Sequence, residues 1–191
     1  MRVKDEHKAE AIFEAALKLI WKEGISGLTM SKLASAAGLA TGTVYIYFKN
    51  KETLLRELYL KLRQESLDRF LEGYNHDEEF LKCFRRIWMN YLKHRMEHHE
   101  ASVFLEQYYR SPYISKDHLE MAEGMKEPVK RMIQRGKEDG LVRQDRDNEM
   151  LFLSMLGFIR ELADEHVSGV YELNKQRIEQ AFELSWDTIR Q

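Results

Sequence analysis

The sequence contains little proline, almost no cysteine and no long hydrophobic run. Its 191 residues include 2 Pro and 10 Gly beside 9 Phe, 9 Tyr and 9 Met. This composition argues against disorder and collagen-like repetition and, more weakly, against an all-β fold full of turns. A chain of this length can bury a substantial core without disulfides or metals. The composition therefore favours a folded, mostly helical protein.

The single cysteine, Cys83, excludes an internal disulfide and a zinc site built from cysteines, and we interpret it as a small core residue. The longest apolar run, residues 151–159, is interrupted by Ser154 and Gly157 and is far shorter than the roughly 20 residues of a membrane span. The first ten residues, MRVKDEHKAE, lack the apolar stretch of a secretory signal. We expect a cytoplasmic protein without a membrane segment.

The overall charge gives little indication of a polyanionic partner, because 30 Lys+Arg face 32 Asp+Glu and the net charge is -2. Residues 1–52, however, carry eight basic and six acidic side chains, a balance of +2, which leaves -4 for the remainder. This weak asymmetry permits a nucleic-acid-binding region at the N-terminal end.

Apolar residues recur at helical spacing along the chain, and no segment shows the alternation of a strand. The periodicity predicts an all-α fold of about nine helices. One predicted helix, residues 115–140, contains Pro128, where we expect a bend. Several helices begin with residues that favour the N-cap position, namely Thr29, Thr41, Asn50 and Asp147.

Residues 25–48 contain two short capped helices separated by Gly38-Leu39-Ala40, after an amphipathic helix that can support them. This arrangement is typical of a helix-turn-helix unit. In the second short helix Val44 and Phe48 lie about 40° apart, at 100° per residue, and are expected to face the core.

The opposite face of the second short helix carries Gly42 and Ile46, and its flanks carry hydroxyl groups, those of Thr43, Tyr45 and Tyr47. The alternative is that all the aromatic residues of this segment belong to a helical core. We disfavour it because a helix of two turns cannot direct so many bulky side chains into one core. The exposed face suits a helix that lies in a major groove and contacts phosphates on both sides.

Residues 12–55 also form a motif that is specific in its order and spacing: Ile12-Phe13-Glu14-Ala15-Ala16, Leu19, Gly24, Thr29, Leu33-Ala34, Ala37-Gly38-Leu39 and TGTVYIYFKNKETLL from Thr41 to Leu55. This motif resembles the tetracycline-repressor (TetR) family of bacterial transcription regulators. The resemblance implies a three-helix DNA-binding domain at residues 1–49 and a helical ligand-binding and dimerisation domain at residues 50–191. It also implies a homodimer formed by the last two helices.

The function that the resemblance implies is transcriptional regulation without enzymatic activity or a cofactor. The regulator is most often a repressor, which a small apolar or aromatic ligand releases from a palindromic double-stranded DNA operator. The resemblance places phosphate contacts at Thr29, the backbone amide of Met30, Thr43, Tyr45, Tyr47 and Lys51. It places base-edge contacts at Ser31, Thr41, Gly42 and Ile46. Ser31 and Thr41 stand where some members carry Arg, Lys or Gln, and here the sequence departs from them.

The C-terminal region is rich in aromatic and methionine side chains of the kind that line ligand cavities in helical domains. Our candidates for the ligand site are Phe84, Trp88, Tyr91, Phe104, Tyr108, Met121 and Met125, with ordinary core packing as the alternative for each. The helix predicted at residues 148–166 is apolar nearly all round, so we expect one side to face the core and the other a partner subunit. Gly157 would allow close approach there.

Two other functions remain open. His94 and His98 lie one helical turn apart, a spacing that zinc can use, and an all-helical metal-dependent enzyme is the alternative function. No third ligand is identifiable, and we therefore expect no metal site. A helical interaction module without DNA binding is the other alternative, which the segment TGTVYIYFKNK disfavours.

Overall fold

The structure, a computed structural model, describes residues 6–191, and helices account for most of this range. They are α1 (Glu6–Gly27), α2 (Met30–Ala36), α3 (Thr41–Tyr47), α4 (Lys51–Phe70), α5 (Phe80–Glu97), α6 (His99–Tyr109), α7 (Lys116–Gly124), α8 (Glu127–Glu138), α9 (Asn148–Val167) and α10 (Lys175–Ile189). Within residues 6–191 the β structure is limited to an isolated bridge between Val142 and Arg190. The predicted all-α fold class is confirmed.

Three of the predicted N-caps make the expected side-chain hydrogen bonds. The Thr29 hydroxyl accepts from the Lys32 amide at 3.2 Å, the Asn50 side chain accepts from the Thr53 amide at 2.8 Å, and the Asp147 carboxylate accepts from the Met150 amide at 2.7 Å. Each bond satisfies an amide of a first helical turn that has no partner within its own helix.

Two predictions from the helical periodicity need correction. Thr41 is the first residue of α3 rather than its cap, which is Ala40, a residue without a side chain that could cap the helix. The helix predicted at residues 115–140 is two helices, α7 and α8, and Pro128 lies in the first turn of α8 instead of at a bend. A proline is tolerated there because the first amides of a helix have no intrahelical acceptor.

The chain divides into two compact units. The first contains the residues up to Glu65 together with Glu100–Leu119, and the second contains Ser66–His99 and Glu120–Gln191. The first unit includes most of α4 and α6 as well as α1 to α3, and the domain boundary after residue 49 stays a prediction. Its core is formed by apolar side chains of α1 to α4 and α6, among them Ile12, Leu33, Val44, Leu58 and Phe104.

The second unit packs its helices around a group of aromatic side chains. Phe84 lies 5.6 Å from the rings of both Phe182 and Trp186, and the Trp88 indole nitrogen donates to the Ser185 hydroxyl at 2.8 Å. Cys83 is fully buried in the same core, and its sulfur lies 2.9 Å from the Asn75 carbonyl oxygen. Burial of these large apolar surfaces links α5 to α10 within this unit.

Candidate nucleic-acid interface

The turn between α2 and α3 is short and tightly bonded. The Leu39 amide donates to the Ala34 carbonyl at 2.9 Å, and Gly38 between them has φ of 66°. A residue with a side chain adopts this left-handed conformation only at a cost. The turn therefore fixes the direction in which α3 leaves α2, as a helix-turn-helix unit requires.

The faces of α3 are as the spacing predicts. Val44 is completely buried and Phe48 is 2% exposed, and the Phe48 ring packs against Phe13 of α1 with ring centres 5.2 Å apart. On the outer side Ile46 is 65% exposed and Tyr45 is 51% exposed. On a helix of seven residues, two large side chains exposed to this extent do not contribute to the core and are available to contact another molecule.

The other candidate residues of this helix also lie at the surface. Thr41 and Gly42 are exposed, and Thr43 and Tyr47 are half-buried on the flanks of the helix. The structure thus brings a bare backbone position, an exposed alkyl group and several hydroxyl groups onto one surface. The hydroxyl groups can donate to phosphate oxygens, and the alkyl group can contact a base edge.

The start of α2 adds a second part of this surface. Thr29 and Ser31 are exposed, whereas the side chain of Met30 is buried and only its backbone amide is a candidate contact. The Thr29 hydroxyl oxygen caps the helix, and its proton stays available to a phosphate oxygen. Lys32 pairs with Glu23, and this hydrogen bond lowers the pKa of the Glu23 carboxyl group below its ordinary value.

Lys51, for which the resemblance implies a phosphate contact, is partly enclosed by other residues. Its ammonium lies 3.5 Å from the Ser26 carbonyl oxygen and 5.9 Å from the centre of the Tyr113 ring. Burial lowers the pKa of Lys51 below its ordinary value. Lys49, two residues earlier, is the more exposed cation of the pair.

Four of the candidate ligand residues lie in two separate hydrophobic cores. Phe84 and Trp88 belong to the core of the second unit, whereas Phe104 and Tyr108 belong to the core of the first. The remaining candidates are the half-buried Tyr91 and Met125 and the exposed Met121. Phe84, Trp88, Phe104 and Tyr108 each contact other aromatic rings.

The histidine cluster of the second unit, His94, His98 and His99, lies beside an ion pair. The rings of His94 and His98 lie 5.3 Å apart. The Arg95 guanidinium donates to the Asp164 carboxylate at 2.7 Å, and a ring nitrogen of His99 lies 3.0 Å from the same oxygen. In the described part of the chain, no three His, Cys, Asp or Glu side chains are arranged to hold a metal ion. The geometry therefore gives no support to the metal-dependent enzyme.

One side of α9 is buried, and its outer side also carries exposed apolar residues. Leu151, Phe152 and Ile159 face the core, whereas Leu153 is 56% exposed. A groove of about 240 Å³ runs between α9 and α10, lined by Ser154, Met155, Phe158, Leu184, Ser185 and Thr188. At Gly157 a Cβ atom would meet no heavy atom within 4 Å. In residues 6–191 none of the helices is long and apolar enough to cross a membrane.

Comparisons with known proteins agree with this geometry. Residues 12–58 match the family described as bacterial regulatory proteins of the tetR family, and residues 80–190 match the family described as the tetracyclin repressor-like C-terminal domain. An uncharacterised HTH-type transcriptional regulator of Haemophilus influenzae is 27% identical over 190 residues and is matched along its whole length.

Solved structures show the same fold. A TetR family transcription regulator from Marinobacter aquaeolei has a TM-score of 0.86 and 26% identity, with 100% of this chain and 99% of that chain covered. A TetR family protein from Vibrio parahaemolyticus has a TM-score of 0.74 and 31% identity, with 96% and 99% covered. The likeness thus extends over both units of the chain.

Proposed function

This chain belongs to the TetR family of bacterial transcription regulators and is a DNA-binding protein, and from this premise we propose that it is a ligand-responsive repressor. It binds a palindromic operator as a homodimer, and a small apolar or aromatic molecule releases it. The observation that carries the DNA-binding part is the exposure of Ile46 and Tyr45 on a helix whose other side, at Val44, is fully buried.

In this proposal α3 lies in the major groove with its outer face toward the bases. Ile46 and the backbone at Gly42 meet the base edges, with the hydroxyl groups of Ser31 and Thr41 beside them. Phosphates on either side of the groove are contacted by the residues that expose hydroxyl, amide or ammonium groups, namely Thr29, Met30, Thr43, Tyr45, Tyr47 and Lys51. None of the base-facing groups can form the bidentate bonds that Arg makes with guanine.

The homodimer joins two copies through α9 and α10. Support comes from the exposed apolar side chains of these helices, among them Met150 on α9 and Leu184 on α10, the second of which lines the groove. An interface of this kind is isologous, since the same face of each subunit meets its own copy. Two-fold symmetry then places two copies of α3 on two half-sites of opposite direction.

The effector binds in the helical domain and favours a conformation in which α4 moves the two recognition helices to the wrong spacing. Support comes from the chain itself, since α4 begins at Lys51, directly after the helix-turn-helix unit. Of the candidate ligand residues, Phe84, Trp88 and Tyr91 share the second unit and offer the aromatic surface that an apolar molecule requires. A ligand can act in this way only if it binds the two conformations with different affinity.

A selection experiment with random DNA tests the DNA-binding proposal. The full-length protein is incubated with a library of random DNA duplexes, and the retained sequences are determined. We expect a palindrome whose half-site centres lie about one helical turn or more apart. The affinity of the protein for this palindrome should fall steeply as the salt concentration rises, because the phosphates release counterions when the protein binds them. Retained sequences without two-fold symmetry would contradict a dimeric reader.

A further inference from the structure

The end of α1, which leads into α2, is held by side chains from two other helices of the first unit. The helical path of α1 is interrupted at Gly24, which has φ of 72° and ψ of 169°. The next amide, that of Ile25, donates to the side-chain oxygen of Gln107 on α6 at 3.1 Å. On α4, the Lys51 ammonium lies 3.5 Å from the Ser26 carbonyl oxygen.

Ile25 is connected through the backbone to the start of α2. Its carbonyl oxygen accepts from the Leu28 amide at 3.3 Å, and the next residue, Thr29, caps α2 through the Lys32 amide. The place of Ile25 therefore sets the place of Thr29 and of the first turn of α2. An amide that follows a break in a helix has lost its regular acceptor, so the bond to Gln107 replaces one that the fold removed.

The backbone of α6 beside Gln107 is firmly held. The adjacent Tyr108 is buried, its ring stacks on Tyr59 of α4 with centres 4.5 Å apart, and its hydroxyl donates to the Tyr113 carbonyl at 3.0 Å. This part of α6 is thus anchored in the core of the same unit, which fixes the backbone position from which the Gln107 side chain reaches the Ile25 amide.

We propose that Gln107 is a positioning residue for operator binding: its side-chain oxygen fixes Ile25 and thereby places Thr29 against the DNA backbone. Gln107 acts through Ile25 and does not itself contact the DNA. The inference rests on the proposed function, since it requires that Thr29 meets a phosphate.

Two substitutions separate the acceptor oxygen from the shape of the side chain. Gln107→Met keeps an unbranched side chain of similar length but has no oxygen, and Gln107→Glu keeps an oxygen that can accept from the Ile25 amide. Gln107→Asn, which draws the oxygen back by one methylene, is a second loss variant. Gln134→Met, at an exposed position of α8 outside the proposed DNA surface and the dimer helices, is the matched control.

The full-length variants are titrated with the DNA duplex that the wild-type protein selects from a random library. We expect Gln107→Met and Gln107→Asn to bind about fivefold more weakly, since one hydrogen bond is lost. Gln107→Glu and Gln134→Met should bind like the wild type. Hydrogen exchange should quicken at the Ile25 amide in Gln107→Met, while the amides of Leu54 and Leu58 stay as protected as before.

A double-mutant cycle identifies the route of the effect. If Gln107 acts by placing Thr29, then Gln107→Met should cost little further affinity once Thr29→Ala is present. Additive losses, or wild-type affinity of both loss variants, would overturn the positioning role. A loss in Gln107→Glu equal to that in Gln107→Met would do the same. A wild-type protein that selects no duplex would instead overturn the proposed function.

Discussion

Ile46 shows most directly how a single side chain can determine sequence preference. It is an alkyl group on an exposed helix face, and the DNA group that it can contact favourably is the methyl group of thymine. A recognition helix with such a side chain recognises the shape and apolar surface of the bases rather than their hydrogen-bond pattern. The proposed operator should therefore contain at least one thymine in each half-site that is read through its methyl group.

Replacement of that thymine by uracil, which lacks only the methyl group, should weaken binding by about 1 kcal/mol, the lower end for a base contact. The penalty should vanish in Ile46→Ala, because the partner of the methyl group is gone. Titrations of both proteins with both duplexes measure it, and uracil at a position outside the half-sites is the control. A penalty that persists unchanged in Ile46→Ala would show that Ile46 does not face the bases.

Substitution of Lys51 tests whether its half-buried ammonium group contacts a phosphate. We expect Lys51→Ala to weaken operator binding for all sequences and to lower the slope of log affinity against log salt by about one unit. Lys93→Ala is the matched control, since it removes the same charge from an exposed position on α5. If both variants keep the slope of the wild type, Lys51 does not contact a phosphate. Its contacts with Ser26 and Tyr113 would then contribute to the fold alone.

We expect His118 to make the stability of the first unit depend on pH. Burial, followed by the charge of Arg56, lowers the pKa of His118 below its ordinary value, while Asp117 acts in the opposite direction. Its ring nitrogen lies 3.1 Å from the Tyr108 hydroxyl, which already donates to a backbone carbonyl. As the pH falls below about 6.5, the unfolded chain takes up a proton that the folded chain does not.

Stability against urea should therefore decrease as the pH falls through about 6.5 and level off below the lowered pKa of His118. His118→Gln should show a smaller decrease, since the group that takes up the proton is absent. Unfolding midpoints at pH 7.5 and at lower pH measure the difference, with His76→Gln, at an exposed histidine, as the control. Equal pH dependence in the wild type and His118→Gln would contradict this account.

At the scale of the helix, features set by neighbouring residues could be predicted from the sequence, whereas contacts between distant residues could not. The caps at Thr29 and Asn50 and the faces of α3 follow from residues within one or two turns, and the structure confirms them. The bond between Ile25 and Gln107 joins residues 82 positions apart. No periodicity or cap motif can indicate such a contact, since it depends on how the helices pack.

The candidate ligand residues show a second limit of prediction from the sequence. Aromatic stripes at helical spacing show which side of a helix is buried, but a cavity wall and a packed core have the same pattern. Phe84 and Phe104 both lie on such stripes, and the structure places them in different cores. The assignment of residues to a ligand site therefore stays a prediction.

The bond between Trp88 and Ser185 should contribute to the attachment of α10 to α5. Ser185→Ala leaves the buried indole N–H without its acceptor, which should cost about 1–3 kcal/mol of stability. Ser168→Ala is the control, because the hydroxyl of Ser168 is exposed and donates to the nearby Glu165 carbonyl. Urea unfolding of the two variants measures the difference. Equal midpoints would show that water replaces the hydroxyl of Ser185.

For the whole molecule, the decisive prediction concerns subunit association. Gly157→Leu should weaken the proposed dimer, because its side chain would fill the space through which the partner approaches. Gly124→Leu is the matched control, since a Cβ atom there also meets no heavy atom within 4 Å and the residue lies at the end of α7. Sedimentation over a range of concentrations gives both dissociation constants. The same constant in both variants would mean that this face of α9 is not the interface.

The burial of Cys83 has a practical consequence for measurements on the assembled protein. It is the only thiol in the chain, and it lies fully inside the core of the second unit. A thiol-reactive fluorophore should therefore leave the native protein unmodified and label a cysteine introduced at the exposed Lys49. Two labels, one on each subunit of the proposed dimer, would then report the separation of the recognition helices by energy transfer. The change in that separation when an effector binds could be followed in solution, with the native cysteine left in place.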